Sequence, residues 1–235
     1  MEEAVADKLR ALVKRNYKVI AADFDATRKK EIWPEIRNWT EKIKTGDRIL
    51  DAGCGNGRLL EALKDKNLDY LGIDGSEELI ERARLNYPKN RFLVGDLLDL
   101  KKIADTNFDY IFCLAVLQHI PGEALRLKAL EEMKNKLRTG GKIIISVWNL
   151  WNVGGKGKKY RKQLFKNWFL KICGRNQLDS GDLIFPWKNS RGEAVSERYY
   201  HAFTGRELKR LAMKAGLIVS CLEKDRFNYW LILIK

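Results

Sequence analysis

Three alternating glycines follow an apolar run that contains one acidic residue, in the stretch ILDAGCGNG at 49–57. Glycines permit tight turns of the backbone and close approach of a ligand, and the N-terminus of a following helix presents free N–H groups to a carboxylate. Asp51 can meet an ammonium group, directly or through water. The spacing therefore predicts a site for a ligand that carries both an ammonium group and a carboxylate.

Two further carboxylates follow at the ends of the next apolar runs. Asp74 lies 23 residues after Asp51, where it can accept hydrogen bonds from both hydroxyls of a ribose, and Asp96 is placed to meet an adenine amino group. A lone aspartate in such a place can be a turn or capping residue. Three acids at successive strand ends would instead line the crevice where open α/β sheets bind ligands. A dinucleotide loop would have its third glycine where this chain has Arg58, so the spacing disfavours a nicotinamide cofactor.

The elements that must position these residues alternate short apolar runs with amphipathic helical stretches, which is typical of a parallel sheet covered on both faces. Strands are predicted at 47–51, 69–74, 91–95, 108–115 and 142–148. Ser76 is a good N-cap for a helix that reaches Tyr87. Gly140 and Gly141 are predicted to end the helix that carries Leu130, Met133 and Leu137.

The remainder of the chain flanks this core. Residues 5–44 are predicted to be mostly helical, and a capping box at Thr204 and Glu207 begins a last helix that leads to a hairpin of runs 216–222 and 229–234. The predicted fold class is α/β: a doubly wound, mostly parallel, seven-stranded Rossmann-like sheet with a terminal β-hairpin, N-terminal helices and an inserted basic segment. As a single domain 1–235 it divides into a helical cap (1–46), a cofactor-binding core (47–148), an insertion (149–203) and a C-terminal helix and hairpin (204–235).

The formal net charge of +14 is concentrated in the last third of the chain. Residues 1–150 carry 27 basic and 24 acidic residues, whereas residues 151–235 carry 18 and 7. Such a face suits a polyanion such as RNA, although a solubilising surface is the simpler alternative. The sequence has no apolar run near the roughly 18 residues of a membrane span and no signal peptide, so we expect a soluble, cytoplasmic protein. Four dispersed cysteines and two histidines predict no metal site.

The motifs resemble those of class I S-adenosylmethionine-dependent methyltransferases over roughly 47–148 and the terminal hairpin, including FDYI at 108–111 and LRTGGK at 137–142. Several segments are also similar to the tRNA wobble-uridine carboxymethyl methyltransferases, which esterify 5-carboxymethyluridine in the anticodon loop. They are YKVIAADFDATRKKEIW followed by Pro34 (17–34), AVLQHI (115–120), ISVW (145–148), FPW (185–187) and RYYHAF (198–203).

The chain departs from that family in two places. The family often has two histidines where this chain has Gln118 and His119, and residues 149–180 have no counterpart. The resemblance implies S-adenosyl-L-methionine as cofactor, tRNA as substrate, and a possible small zinc-binding activator subunit that pairs near the third strand, where 92–94 would form an apolar edge. The candidate cofactor contacts are Asp51, Gly53, Gly55, Asn56, Asp74, Gly75, Ser76, Asp96, Leu97 and Ala115.

Transfer of a methyl group to a carboxylate needs no general base, because the carboxylate is already ionised at neutral pH. Catalysis would then consist mostly of positioning. Arg28, Arg198 and His201 are the candidate catalytic residues that hold the acceptor, although at least one of them should instead orient a phosphate or the uracil ring. The candidate substrate contacts are Trp33, His119, Lys158, Lys159, Arg161, Lys162, Trp187, Tyr199 and Tyr200.

Alternatives remain for each of these assignments. The stretch 198–201 can be a packed surface strand, His119 a structural histidine, and Arg28 part of a solvated helical face. Residues 160–173 also fit an amphipathic helix for a membrane surface or a partner, with Leu164, Phe165, Trp168 and Phe169 on one face. The acceptor could instead be a small acidic or lipid-like molecule, and an inactive RNA-binding protein with this fold is a third reading that methyl transfer to any acceptor would exclude.

Overall fold

The computed structural model describes residues 1–27, 34–152, 154–189 and 191–235, with side chains for all of these except 154–159. Two candidate residues, Arg28 and Trp33, therefore lie outside the described residues. Lys158 and Lys159 lie on a described helix, but their side chains are not described.

A seven-stranded sheet forms the centre of the protein. Its first five strands are β1 (Arg48–Ala52), β2 (Asp69–Asp74), β3 (Arg91–Val94), β4 (Phe108–Leu114) and β5 (Leu137–Trp148). They are mutually parallel, and two C-terminal strands, β8 (Ile218–Lys224) and β9 (Asn228–Ile234), add an antiparallel hairpin beside β5, so that the order is β3-β2-β1-β4-β5-β9-β8. The predicted doubly wound, mostly parallel, seven-stranded sheet is confirmed.

Helices cover both faces of this sheet. They are α1 (Glu3–Thr27), α2 (Pro34–Thr40), α3 (Glu77–Asn86), α4 (Glu123–Lys136) and α6 (Gly205–Lys214), with 3-10 turns at Arg58–Ala62, Leu100–Lys102 and Leu117–His119. One core cluster joins α4 and α6 to the sheet through residues such as Leu130 and Leu211, and a second lies under α2 and α3 around Ile36 and Ile80. Strands buried on both faces explain why the apolar runs in the sequence are nearly continuous.

The local signals at the helix ends are partly confirmed. The Ser76 hydroxyl accepts a hydrogen bond from the Leu79 amide and caps α3. Thr204 likewise caps α6, but the Glu207 carboxylate, predicted to complete the capping box, bonds His201 instead. None of the helices in the described parts of the chain has both the length and the apolar composition that spanning a bilayer requires.

The prediction that a helix carries Leu137 as far as Gly140 and Gly141 is wrong. Helix α4 ends at Lys136, and Leu137 begins β5 by pairing with Phe108 of β4. Gly140 has a φ of +72°, and the backbones of Gly140 and Gly141 hydrogen bond with Lys235. Sheet pairing with a strand remote in sequence therefore overrides the local helical pattern.

The insertion folds as helix α5 (Gly154–Ile172) packed on an antiparallel pair, β6 (Asp182–Lys188) and β7 (Ala194–His201). The helix contacts this pair through buried Leu164 and through Gln163 and Asn167, whose amides donate to carbonyl oxygens of β6. This packing divides the predicted shared face of Leu164, Phe165, Trp168 and Phe169, because Leu164 lies at one edge of that face and is buried against the strand pair. The other three side chains, together with Ile172, form an exposed apolar stripe: Phe165, Trp168, Phe169 and Ile172 are 51–64% exposed.

Candidate active site

The glycine loop leaves β1 through backbone conformations that favour glycine. Gly53 and Gly55 have φ angles of +87° and +55°, and a Cβ at Gly53 would lie 2.3 Å from Cγ2 of Val116. The loop is fixed to β2 because the amides of Gly53 and Cys54 both donate to the Ile73 carbonyl oxygen. The expected helix after the loop is only a short 3-10 turn, so the loop's own backbone must supply most of the contacts to a ligand.

Three carboxylates at the ends of neighbouring strands line one cavity of about 680 Å³. Asp51 lies in β1, Asp74 ends β2, and Asp96 follows β3. Parallel pairing brings the three strand ends to the same edge of the sheet, as the sequence predicted.

Asp51 is the most deeply buried of the three, with 3% of its surface exposed. The pKa of Asp51 is raised to about 7: burial is the main cause, the neighbouring Asp74 contributes, and the hydrogen bond from the Tyr70 hydroxyl (2.8 Å) opposes the shift. A buried carboxylate beside a second carboxylate is a strong site for a positive group. An ammonium group bound here would favour the ionised form of Asp51.

The other two carboxylates are held in place by backbone amides. Asp74 accepts from the amides of Gly55 and Ser76 at 2.9 Å each, which ties the glycine loop to the end of β2. Asp96 accepts from the Leu98 amide and forms an ion pair with Arg10 of α1 at 2.9 Å. Because each carboxylate oxygen has two lone pairs, these contacts leave capacity for ligand hydroxyl or amino groups.

These residues fit S-adenosylmethionine group by group. Asp51 would meet the ammonium, the loop amides the carboxylate, Asp74 the ribose, and Asp96 the adenine amino group. All ten predicted cofactor residues line the cavity: Asp51, Gly53, Gly55, Asn56, Asp74, Gly75, Ser76, Asp96, Leu97 and Ala115. The Asn56 side chain also donates to Asp25 of α1 at 2.8 Å, so it links the loop to the N-terminal helix.

Helix α1 supplies one wall of the cavity, and its lining residues were not predicted from the sequence. Arg10, Lys14 and Tyr17 line it from one face of the helix. Their spacing of four and three residues is the signal that could have found them, because it places them on one helical stripe. The cavity is therefore closed by the N-terminal segment rather than by the sheet alone.

His119 lines the cavity between Tyr17 of α1 and β7, and Tyr17 lies seven residues along α1 from Arg10, which pairs with Asp96. We call this part of the cavity, with Trp187 and Tyr200, the acceptor end.

The Nδ1 of His119 lies 3.2 Å from the Tyr199 carbonyl oxygen, and its Nε2 lies 2.9 Å from the Tyr17 hydroxyl. A carbonyl oxygen only accepts hydrogen bonds, so Nδ1 carries the proton and Tyr17 donates to Nε2. The pKa of His119 is lowered to about 4: burial is the main cause, the charge of Arg198 contributes, and the bond to Tyr199 opposes the shift. His119 is thus a neutral, positioned ring.

We expect His119 to keep its Nδ1–H tautomer from pH 8 down to pH 5. Since its pKa in the folded state lies below the unfolded value of about 6.5, the unfolded state binds more protons between pH 6.5 and 4. Stability should therefore fall as the pH decreases through this window. Ring 15N chemical shifts, assigned with a His119→Phe variant, would test this, and a midpoint near pH 6.5 would contradict it.

Arg198 is not itself a lining residue of the cavity, but its guanidinium lies directly behind Trp187 and Tyr200, which are, among aromatic rings of the β6–β7 pair. Its guanidinium carbon is 4.5 Å from the ring centre of Trp187, 4.8 Å from Phe185 and 5.6 Å from Tyr200. Trp187 and Tyr200 line the cavity, as predicted for acceptor contacts. Alternation along β7 puts Arg198 and Tyr200 on one face, and the register places Phe185 opposite Arg198.

The same alternation corrects two predictions, because Tyr199 and His201 point to the other face of β7. Neither lines the cavity. The Asp182 carboxylate accepts from the Tyr199 hydroxyl and lies 2.7 Å from His201 Nδ1, while His201 Nε2 lies 2.8 Å from Glu207. Both side chains belong to a buried polar network that also contains Arg126, and their role is to hold β6 and β7 on the core.

Removal of the central carboxylate of this network should be costly. We expect Asp182→Ala to lower the free energy of unfolding by about 3–5 kcal/mol, because the buried Arg126 would keep only Glu207 as a carboxylate partner, and Tyr199 and His201 would lose the acceptor they share. The matched control is Asp179→Ala on the same turn, whose partially exposed ion pair with Lys171 should contribute about 1 kcal/mol or less. Urea unfolding of the two variants measures the difference, and equal small losses would contradict a structural role for the network.

Two of the predicted basic residues of the insertion, Arg161 and Lys162, are exposed on α5 and do not line the cavity. Lys158 and Lys159 precede them on the same helix. Arg161 and Lys162 are therefore available to a large ligand rather than to the reacting atoms.

Comparison with known proteins shows similarity to methyltransferases over most of the chain. A family model described as a methyltransferase domain matches residues 50–145. A methyltransferase of Encephalitozoon cuniculi is 31% identical over 88% of this chain and 87% of its own. The tRNA (carboxymethyluridine(34)-5-O)-methyltransferase of Schizosaccharomyces pombe is 27% identical over 92% of each chain. The Xenopus tropicalis enzyme of the same description, alkbh8, is 30% identical over 96% of this chain, which spans only 41% of that protein.

Solved structures agree on the fold. An S-adenosylmethionine-dependent methyltransferase of Methanosarcina mazei superposes with a TM-score of 0.68 at 22% identity, covering 88% of this chain and 99% of that one. A Haloferax volcanii methyltransferase, solved in complex with the Trm112 methyltransferase activator, gives a TM-score of 0.64 at 19% identity, covering 94% and 96%.

The sheet order and the cavity together define a class I methyltransferase, an enzyme whose cofactor is S-adenosyl-L-methionine. The methyltransferase family model matches residues 50–145, and two relatives match along nearly the whole chain, so the enzyme class is assigned. The chain belongs to the S-adenosylmethionine-dependent methyltransferase family and is similar to its tRNA carboxymethyluridine members.

Proposed function

We propose that this enzyme methylates the carboxylate of 5-carboxymethyluridine at the wobble position of tRNA. The observation that carries the proposal is Arg198, whose guanidinium is stacked between rings at the acceptor end of the cavity. A positive charge bordered by flat aromatic surfaces suits an anionic group attached to a planar base. The names of the relatives support the same substrate.

Methyl transfer to a carboxylate requires little from the protein except that it aligns the carboxylate with the methyl group. When bound, S-adenosylmethionine supplies an electrophilic methyl group; the bond from that carbon to the carboxylate oxygen forms while its bond to sulfur breaks, and no proton moves. The lowered pKa of His119 makes its ring a weak base, which agrees with a reaction that needs no base. Trp187 and Tyr200 would stack on the base, and Arg198 would attract the carboxylate. The proposed contacts of Arg28, Trp33, Lys158 and Lys159 stay predictions.

Helix α5 is the proposed surface for the rest of the tRNA. Its exposed cations, including Arg161, Lys162 and Lys166, lie on the same helix as the exposed apolar stripe. Cations can follow phosphates, and aromatic rings can stack on unpaired bases. A tRNA substrate would also place the enzyme in the cytoplasm.

A second candidate acceptor is a small acidic or lipid-like molecule, which the exposed apolar stripe on α5 would favour. The two candidates differ in how binding depends on salt. We expect tRNA binding to weaken steeply with ionic strength, and the double variant Arg161→Glu, Lys162→Glu to lose affinity and to flatten that slope. The matched control places the same reversals on exposed Arg206 and Lys209 of α6. Salt-independent binding, or equal effects of both double variants, would favour the small acceptor.

We also propose that a small zinc-binding activator subunit pairs with the edge of the sheet at β3. This strand is at the edge of the sheet, and Leu93 and Val94 are 38% and 49% exposed. Unprotected apolar edges are unusual in proteins that act alone. If the purified chain by itself is monodisperse and fully active, the activator is not required.

A further inference from the structure

Two neutral N–H donors at the acceptor end of the cavity are buried and have no hydrogen-bond partner among the described residues. They are Gln118 Nε2 and Trp187 Nε1. Both side chains line the cavity. Buried donors without an acceptor cost free energy and are rare in folded proteins. Two of them in residues that line one cavity therefore indicate that a ligand supplies the missing acceptors.

The orientation of the Gln118 side chain follows from its other contact. Its Oε1 accepts from the Trp148 amide at 3.3 Å. A backbone N–H only donates, so the oxygen must face Trp148 and the NH₂ group must point the other way. The side chain is fully buried. The Gln118 donor is thus fixed by the end of β5 rather than by solvent.

A chain of contacts joins the two donors. Trp148 holds the Gln118 oxygen, and its ring lies 4.9 Å from that of Tyr200. Tyr200 and Trp187 are both close to the Arg198 guanidinium, whose Nε is also buried without a partner among the described residues. The two donors are therefore connected through Trp148, Tyr200 and Arg198, and both belong to residues that line the same cavity.

We propose that Gln118 Nε2 and Trp187 Nε1 bind the oxygens of the acceptor's carboxymethyl group and orient it toward the methyl group. This inference rests on the proposed function. The carboxylate loses its negative charge as the methyl group arrives, so a direct ion pair would stabilise the starting state more than the transition state. Neutral donors fix direction with less of that penalty, while Arg198 attracts the anion from among the rings.

Two variants remove one donor each. Trp187→Phe deletes the indole N–H and shortens the ring that packs on Arg198, and Gln118→Glu replaces the NH₂ group with a second oxygen while it keeps the oxygen that bonds Trp148. We expect either change to reduce kcat/KM for tRNA by at least about tenfold, with unchanged binding of S-adenosylmethionine. Because Trp187 Nε1 has no hydrogen-bond partner among the described residues, Trp187→Phe should lower the melting temperature less than the same change at Trp151, whose N–H is bonded.

The matched control is Trp151→Phe, whose indole N–H is already bonded to the Ala202 carbonyl oxygen outside the cavity. It should lower the melting temperature and leave kcat/KM for tRNA unchanged. If the wild type methylates tRNA and Trp187→Phe and Gln118→Glu do so equally well, the donors are wrongly assigned while the proposed function stands. If the wild type itself never methylates tRNA, the proposed function is wrong instead.

A second measurement tests the donors without turnover. The probe is an anticodon stem-loop with 5-carboxymethyluridine, added to protein loaded with S-adenosylhomocysteine, and the readout is the indole 1H–15N signal that disappears in Trp187→Phe. We expect that signal to move downfield on addition of the probe, and to move much less with a stem-loop that carries unmodified uridine. An indole signal that stays in place with the modified probe overturns the inference, whatever the methylation assay gives.

Discussion

Replacement of Asp51 with asparagine is expected to weaken binding of S-adenosylmethionine by about 100-fold and, at the same time, to stabilise the ligand-free protein at pH 8. The first effect follows because truncating one partner of a buried charge pair typically costs 2–5 kcal/mol. The second follows from burial, which raises the pKa of Asp51 to about 7 from 3.8. Ionising this group in the folded protein is therefore unfavourable, and asparagine removes the cost.

The raised pKa of Asp51 also determines how the stability of the ligand-free protein changes with pH. Between about pH 4 and 7 the folded state retains a proton that the unfolded state has lost, so the Asp51 contribution to stability falls as the pH rises. At about 1.4 kcal/mol per pKa unit, the loss in the ligand-free protein is at most a few kcal/mol. The Asp51→Asn variant should lack this fall, while cofactor affinity of the wild type should improve as the pH rises through 7.

Thermal unfolding from pH 4.5 to 8.5 and calorimetric titration with S-adenosylmethionine measure both effects. Asp65→Asn is the matched control, because Asp65 is exposed and remote from the cavity. It should leave both quantities unchanged. Parallel stability profiles for Asp51→Asn and the wild type would contradict the raised pKa of Asp51, and equal affinities would show that Asp51 is not the ammonium site.

Replacement of Arg198 with alanine is expected to reduce kcat/KM for tRNA by about 100-fold or more while cofactor affinity stays unchanged. The guanidinium provides positive charge at the acceptor end, and its removal also loosens the stack of Phe185, Trp187 and Tyr200. Arg198→Lys keeps the charge but not the planar stacking, so it should recover only part of the activity.

Steady-state methyl transfer with tRNA as the varied substrate tests this prediction. Arg191→Ala on the loop of the same strand pair is the control, because Arg191 is exposed and does not line the cavity. Equal rates for Arg198→Ala and Arg191→Ala would remove Arg198 from the acceptor site.

The cofactor end of the site was predictable because its signals are local. A glycine loop with positive φ angles and carboxylates at strand ends are encoded within a few residues of each contact. Strand β2 was predicted with both of its bounds, Asp69 and Asp74, for the same reason. Parallel pairing then brings these local features together without any further information from the sequence.

The acceptor end depended on contacts between distant segments. Whether Tyr199 or Tyr200 faces the cavity is decided by how β7 pairs and packs, and a sequence of two tyrosines fits either face. The Gln118 donor is defined by its bond to Trp148, and the face of α5 by its packing on β6. Leu137 likewise follows its pairing with Phe108 rather than the helical pattern before it.

The most direct test is transfer of labelled methyl from S-adenosylmethionine to total tRNA of the host, followed by nuclease digestion and mass analysis of the nucleosides. We predict a base-labile methyl ester on a wobble uridine, formed by the wild type and lost in Asp51→Asn and Arg198→Ala. Measurable cofactor binding without any label in tRNA, even with an added activator subunit, would contradict a tRNA substrate and would point to a small acidic acceptor.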